Sequence, residues 1–300
     1  MKPVHQNLRK TYFWLIALTI LLQLMGAATR ATGAGMSCPD WPLCMGELLP
    51  ELSHGVFYEF GHRILAGAVA FGLLFAVIKG WRSEECRRRL GIWPAVCTVL
   101  LFCQIGMGGV TVLMRNVGWT VMVHLLLANL FCASLLVSAL RLNNPCNSNA
   151  PRKASKRLVV GGGTILLLQI VIGGLVAGYH AGLACIVWPE CLPGIFFPTF
   201  EGLVGLQILH RITGYTLVLV SMWIWIDTRR GDPNYGSAQL IGAASLAQLV
   251  LGIANVALIM PPWVTTLHTL GASTLVLLYT SSIITLFTEN NNDDHRYKAA

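Results

Sequence analysis

Two seven-residue stretches of this 300-residue chain, CPDWPLC (38–44) and CIVWPEC (185–191), share the pattern Cys-x-x-Trp-Pro-x-Cys. Two cysteines so spaced can close as a disulfide or cycle between dithiol and disulfide as a redox couple. If both pairs converged they could bind zinc, although the ligands of structural zinc sites are usually closer together. Four histidines, His62, His124, His210 and His268, stand in otherwise apolar stretches. An imidazole is costly in hydrocarbon and marks function there. Facing pairs of such rings, His62 with His124 and His210 with His268, could ligate a haem iron from both sides. A proton relay, or a hydrogen bond that joins helices, is the other use of these residues. Arg63 and Arg211 directly follow two of the histidines, where a haem propionate could meet them or where they could simply snorkel to the membrane edge. Glu59 precedes His62 by one helical turn, and the corresponding residue of the second half is Gln207. A carboxylate beside a metal site suggests proton transfer or stabilisation of developing positive charge; its other reading is an acid at a helix N-terminus.

Residues like these need a scaffold, and the composition says which kind. The chain is 55% hydrophobic and 11% charged, with mean hydropathy +0.63. Long uncharged runs predict eight membrane-spanning helices, over 12–28, 58–78, 91–114, 117–140, 158–178, 202–226, 238–260 and 264–287. The basic start before the first run resembles a signal peptide, but the run continues at spanning length and is read as a helix. Of 21 Lys and Arg, 17 fall before span one, after the even-numbered spans, or in the tail. By the positive-inside rule both termini are cytoplasmic, in the cell (inner) membrane, and the loops 29–57 and 179–201 with the cysteine motifs are extracytoplasmic. Outside the cytoplasm thiols oxidise, so Cys38–Cys44 and Cys185–Cys191 disulfides are the leading expectation. The net charge of +8 then reflects topology and gives no reason to invoke nucleic acid.

The chain also repeats itself. Gln23 and Gln169, the cysteine motifs, His62 and His210, Gln104 and Gln248, and His124 and His268 recur at offsets of 146, 147, 148, 144 and 144 residues. Each half holds four spans, so the repeat is parallel and its pseudo-twofold axis runs along the membrane normal. The predicted fold is an all-α integral membrane protein of two pseudo-twofold-related four-helix bundles, residues 1–142 and 157–300, joined by a cytoplasmic linker at 143–156. All four histidines lie on even-numbered spans, four to eight residues from the outer end, and so share one layer.

The run TGAGMSCPDWPLCMGELLP with EFGHR, the His124 span, LQILHRITGY and PPWVTTLHTLGAS resembles the haem A synthase family of cytochrome oxidase assembly, over nearly the whole chain. The resemblance implies an enzyme that oxidises a methyl group of haem O to the formyl group of haem A. It implies a substrate haem O near His62 and His124, a haem b ligated by His210 and His268, a functional glutamate at Glu59, and a family cysteine pair at Cys38 and Cys44. Cys185 and Cys191 then read as a structural clip. Expected partners are the lipid bilayer, haem O synthase and an electron acceptor, and a homo-oligomer is compatible with the pattern. The competing class is a di-haem b-type electron carrier that does no chemistry on the macrocycle.

Overall fold

The computed structural model describes residues 4–143, 153–228 and 235–297. Most of the expected linker, with Cys146 and Arg152, lies outside the described residues, as do Lys2, Arg229, Arg230 and Lys298. The chain forms α1 Val4–Ala31, α2 His54–Trp81, α3 Glu84–Leu90, α4 Trp93–Leu113, α5 Gly118–Arg141, α6 Lys153–Gly178, α7 Gly202–Asp227, α8 Tyr235–Ala257 and α9 Pro262–Tyr297. All of these except α3 are long and apolar enough to cross a membrane, and each contains the core of one predicted span. Several run past the predicted ends, α1 by eight residues at its start, because polar residues stay helical once the apolar part has nucleated the turn.

Helix α3 falls where the sequence reading saw only a basic loop. Its signals are local: the Ser83 side chain accepts a hydrogen bond from the Cys86 N–H, Glu84 and Glu85 occupy the first turn, and Arg87, Arg88 and Arg89 the last. Acids at the N-terminus and bases at the C-terminus complement the helix dipole.

The eight spans pack as two bundles. In the first, α1 lies against α2 and α5, and α4 against α5; in the second, α6 lies against α7 and α9, and α8 against α9. The halves meet through α5 with α6, α1 with α9, and α5 with α9. The histidine helices of each half, α2 with α5 and α7 with α9, are not packed neighbours but opposite corners of a square, so the paired imidazoles approach across a bundle interior. The halves differ at one seam: α7 packs along α8, whereas α2 barely touches α4.

Large apolar side chains fill the part of each bundle remote from the cysteine loops. Leu8, Tyr12, Leu15, Val69, Leu73 and Leu135 form the core of the first half, and Leu166, Leu217, Ile224, Ile241, Leu275 and Tyr279 that of the second. Burying a Leu or Ile side chain in this way stabilises the fold by about 1.5–3 kcal/mol where the alternative is water. Toward the cysteine loops these give way to Gly, Gln and His.

The repeat reaches the backbone. Arg115 and Asn116 after α4, and Ile259 and Met260 after α8, are consecutive left-handed residues with φ between 54° and 60°. Branched Ile259 is disfavoured there; it is held because the Met260 N–H reaches back to the Asn255 carbonyl at 2.6 Å, as the Asn116 N–H does to Thr111 at 2.8 Å.

Candidate functional site

The site is built from the loops downward. Cys38 is bonded to Cys44 and Cys185 to Cys191, so each motif closes a small covered loop over the end of its bundle. Each loop is tied to the helix beneath it by an arginine. Arg63 Nη1 donates to the carbonyls of Asp40, at 2.9 Å, and Leu43; its Nη2 donates to the Cys38 carbonyl at 3.0 Å and to Glu59 Oε1 at 2.7 Å. Arg211 repeats the pattern, with Nη1 on the Glu190 carbonyl at 2.8 Å and Nη2 on the Cys185 carbonyl at 3.0 Å. A guanidinium has five N–H donors; in Arg63 the loop and Glu59 engage four of them. The first loop has a further anchor in Asp40, whose carboxylate accepts from the Met45 and Gly46 N–H groups at 2.6 and 2.7 Å. The Gly46 N–H, with a smaller contribution from that of Met45, holds the Asp40 carboxyl below the usual carboxylate range.

Beneath the loops stand the four histidines. His62 and His210 each follow the first residue of their helix, His54 and Gly202, by eight positions; His124 and His268 follow Gly118 and Pro262 by six. At 1.5 Å per residue the four lie about 9–12 Å into their helices, in one layer. All four are half-buried, and His62 is within electrostatic reach of His124, as His268 is of His210.

Each ring rests on a glycine of an adjacent helix. A Cβ added at Gly26 would stand 2.9 Å from His62 Cε1, at Gly173 3.0 Å from His210 Cε1, at Gly108 3.2 Å from His124 Cε1, and at Gly252 3.3 Å from His268 Cε1. At Gly26 an added carbon would force the imidazole to shift, and at the other three the ring would have to give by a few tenths of an ångström. Hydrogen bonds orient three of the rings further: His62 Nδ1 lies 3.1 Å from the Leu22 carbonyl, and His210 Nδ1 lies 3.1 Å from Gln169 Nε2. Gln104 Nε2 approaches His124 Nε2 at 3.3 Å. The Nδ1 atoms of His124 and His268 are buried without any hydrogen-bond partner. Paired, partly accessible imidazoles with ring nitrogens to spare, set around an interior lined by glycine, fit a planar macrocycle with a central metal.

Three differences separate the halves. Glu59, 5% exposed, accepts from the Cys38 N–H at 2.9 Å as well as from Arg63. Its counterpart Gln207 donates to the Gly182 carbonyl at 3.2 Å and leaves its own Oε1 unpartnered. Gln23, at the place of Gln169, turns away from its histidine and bridges the halves, donating to the Ala128 carbonyl at 3.3 Å and accepting from Ser273 at 2.5 Å. Finally, the Trp41 ring lies on Gly109 of α4, which has no room for a Cβ there, whereas Trp188 donates to the Tyr215 hydroxyl of α7 at 2.8 Å.

Sequence reasoning singled out the histidines, Glu59 and the cysteines; it assigned no particular glycine to a particular ring. It missed the loop ties, for which the signal was the His-Arg dipeptide recurring beneath each cysteine motif. It gave no role to Arg30, one of the four Lys and Arg outside the cytoplasmic set of 17. Arg30 donates to the carbonyls of Ala177 and Gly178 at 2.5 and 3.2 Å, which caps the C-terminus of α6 and ties the first half to the second.

Duplicated bundles of apolar helices sharing one histidine layer define a multi-pass all-α membrane protein. The chain belongs to the cytochrome oxidase assembly protein family (COX15-CtaA), whose family model matches residues 9–56 and 51–280. It is 28% identical over 330 aligned positions to a heme A synthase of Methylobacterium sp. (strain 4-46), covering 88% of each chain. It is 30% identical to a heme A synthase of Bradyrhizobium diazoefficiens, covering 82% of each, and 29% identical to one of Mesorhizobium japonicum, covering 83% of this chain and 82% of the relative.

Proposed function

We propose that this chain is a haem A synthase, an oxidoreductase that converts a methyl group of haem O to the formyl group of haem A by two successive two-electron oxidations. The observation that carries the reading is a repeated histidine layer beside which one half has the buried carboxylate Glu59 and the other the neutral Gln207. Relatives named heme A synthase over four-fifths or more of the chain support it.

In this reading His62 and His124 hold the iron of the substrate haem O in the first bundle, and His210 and His268 hold haem b in the second. Bound there, haem b supplies a one-electron carrier that can take the electrons withdrawn from the substrate. The glycine seats fix the ring planes, and the Leu22 carbonyl, which can accept from the His62 Nδ1–H, fixes the orientation of His62 as an outer partner of a metal-bound histidine does. Glu59 is the residue that would accept protons from the methyl carbon's oxidation or stabilise positive charge as it develops. Its bonds to Cys38 and Arg63 hold it at the roof of the site. Arg63 and Arg211 position the loops, and an N–H not engaged by the loop is what a propionate would meet. Substrate enters from the bilayer through the loose seam between α2 and α4, under Trp41; the closed α7–α8 seam of the second half suits a resident cofactor. The cysteine loops face the extracytoplasmic side, both termini face the cytoplasm, and the halves 1–142 and 157–300 act as separate haem-holding units. Haem O synthase, which supplies the substrate, and an electron acceptor are the expected partners.

The test is the pigment extracted from purified protein. Haem O, haem A or a hydroxylated intermediate supports the synthase. Haem B alone, at both sites, overturns it in favour of a di-haem electron carrier.

A further inference from the structure

At the end of the bundle away from the cysteine loops, a cavity of about 310 Å³ lies between the start of α1 and the end of α5, lined by His5, Arg9, Lys10, Phe13, Leu142 and Asn143. Nothing in the histidine layer reaches it. Arg9 and Gly26, the seat of His62, are seventeen residues apart on α1, about 25 Å along the helix.

The cavity has a cationic wall with donors left over. Arg9 Nε is buried with no hydrogen-bond partner, and so is His5 Nδ1, although it stands 3.2 Å from Glu85 Oε1. Glu85 does not serve Arg9; its Oε1 accepts from Arg89 at 2.8 Å. A buried guanidinium N–H without an acceptor costs free energy that an incoming acceptor would recover. The orientation of membrane proteins by basic residues accounts for Arg9 and Lys10 being at this edge, but not for an enclosed, unpaired Nε. One face of the Arg9 guanidinium is covered by the Phe13 ring, 5.4 Å from its centroid, which leaves the planar edge for a ligand. Phe13 and Trp14, 39% and 71% exposed, continue the rim toward the hydrocarbon.

A cationic floor with a planar donor edge matches a phosphate, and an apolar lip at a membrane boundary matches the acyl chains attached to it. We infer that this cavity binds the phosphate of an anionic phospholipid, with Arg9 and Lys10 as the charged contacts, His5 as a further donor and Phe13 against the first acyl carbons. The site is independent of the proposed oxidation.

The experiment uses the full-length protein, delipidated in detergent, with its haem content recorded. Phosphatidylglycerol, phosphatidylcholine and sodium phosphate are each titrated while retained lipid is counted by native mass spectrometry and thermal unfolding is followed. One phosphatidylglycerol per chain should be retained and raise the unfolding midpoint. Arg9→Gln should weaken its apparent affinity at least tenfold with haem content unchanged. Equal retention of phosphatidylcholine, or undiminished phosphatidylglycerol binding by Arg9→Gln, overturns the site. A full shift from sodium phosphate alone overturns the lipid assignment in favour of a free anion. If Arg9→Gln does not accumulate, the comparison of the two lipids on the unaltered protein decides.

Discussion

Glu59 and Arg63, one turn apart on α2, form a 2.7 Å ion pair whose side chains are 7% and 16% exposed, and both reach the same residue of the loop above, Cys38. The corresponding residues Gln207 and Arg211 make no such pair. One half thus carries a buried charge pair under its disulfide loop, and the other carries a neutral amide in its place.

Removing one member of a buried ion pair leaves the other charge uncompensated, so Arg63→Met should lower stability by about 3–5 kcal/mol. Arg211→Met should cost clearly less, since only hydrogen bonds to loop carbonyls are lost. Chemical unfolding of the two variants measures the difference, and equal losses would show that the Glu59 charge is not buried against Arg63.

Glu59→Gln keeps an oxygen that can accept from the Cys38 N–H and removes only the charge. The variant is expected to retain its disulfide loop and bound haem but to lose formation of haem A. Pigment analysis beside a proteolysis assay of the loop reads both. Full oxidation in this variant would remove the carboxylate from the chemistry, whereas a loosened loop would make it a positioning residue.

The glycine seats predict a graded series. Alanine at Gly26 or Gly173, where the added carbon would fall 2.9 or 3.0 Å from an imidazole, should disturb histidine ligation more than alanine at Gly108 or Gly252, at 3.2 and 3.3 Å. Gly26→Ala and Gly108→Ala should alter only the haem of the first bundle, and Gly173→Ala and Gly252→Ala only that of the second. Low-temperature electron paramagnetic resonance separates the two. A uniform response across the four would mean that the glycines serve helix packing in general.

The Asp40 carboxyl titrates below its ordinary value, so its ionised form is favoured in the folded loop. Its contribution is therefore complete above the ordinary aspartate pKa of about 4 and disappears as pH falls through the depressed value. Asp40→Asn should reduce protection of the Met45 and Gly46 amides at neutral pH, and the difference from the unaltered protein should vanish at strongly acid pH. Hydrogen exchange at those amides follows it; a gap that widens on acidification would have the wrong sign.

Gly109 accommodates the Trp41 ring, and the residue 144 positions later is Ile253. Gly109→Ile should displace Trp41 from the α2–α4 seam and slow uptake of added haem O about tenfold or more, while haem b in the second bundle stays at full occupancy. Stopped-flow uptake into apo-protein gives the rate. An unchanged rate would place the route elsewhere.

Much of this was legible in the sequence because membranes restrict the choices. Hydropathy fixed eight spans, and identical residues at near-constant offsets fixed the duplication and the histidine layer. What the pattern did not show is which helices adjoin. Four helices can be ordered around a square in more than one way, and periodicity does not decide that α2 and α5 take opposite corners. Nor could it see that Gly26 and Gly173 seat imidazoles, since a glycine looks the same whether it admits a ring or a neighbouring backbone. The role of Arg30 was not legible because its partners are main-chain carbonyls, which every residue has. Helix α3 was passed over because seven residues are too few for periodicity, although Ser83 and the charge order around it were readable.

The contact of α5 with α6 is answered by that of α9 with α1, and α5 meets α9 on the axis between them. Each half offers the other the same surface, which is the isologous geometry of a C2 dimer. Within one polypeptide the two copies need not stay identical, and here one half alone carries the buried carboxylate Glu59, the loose α2–α4 seam and a glutamine, Gln23, that reaches across to its neighbour.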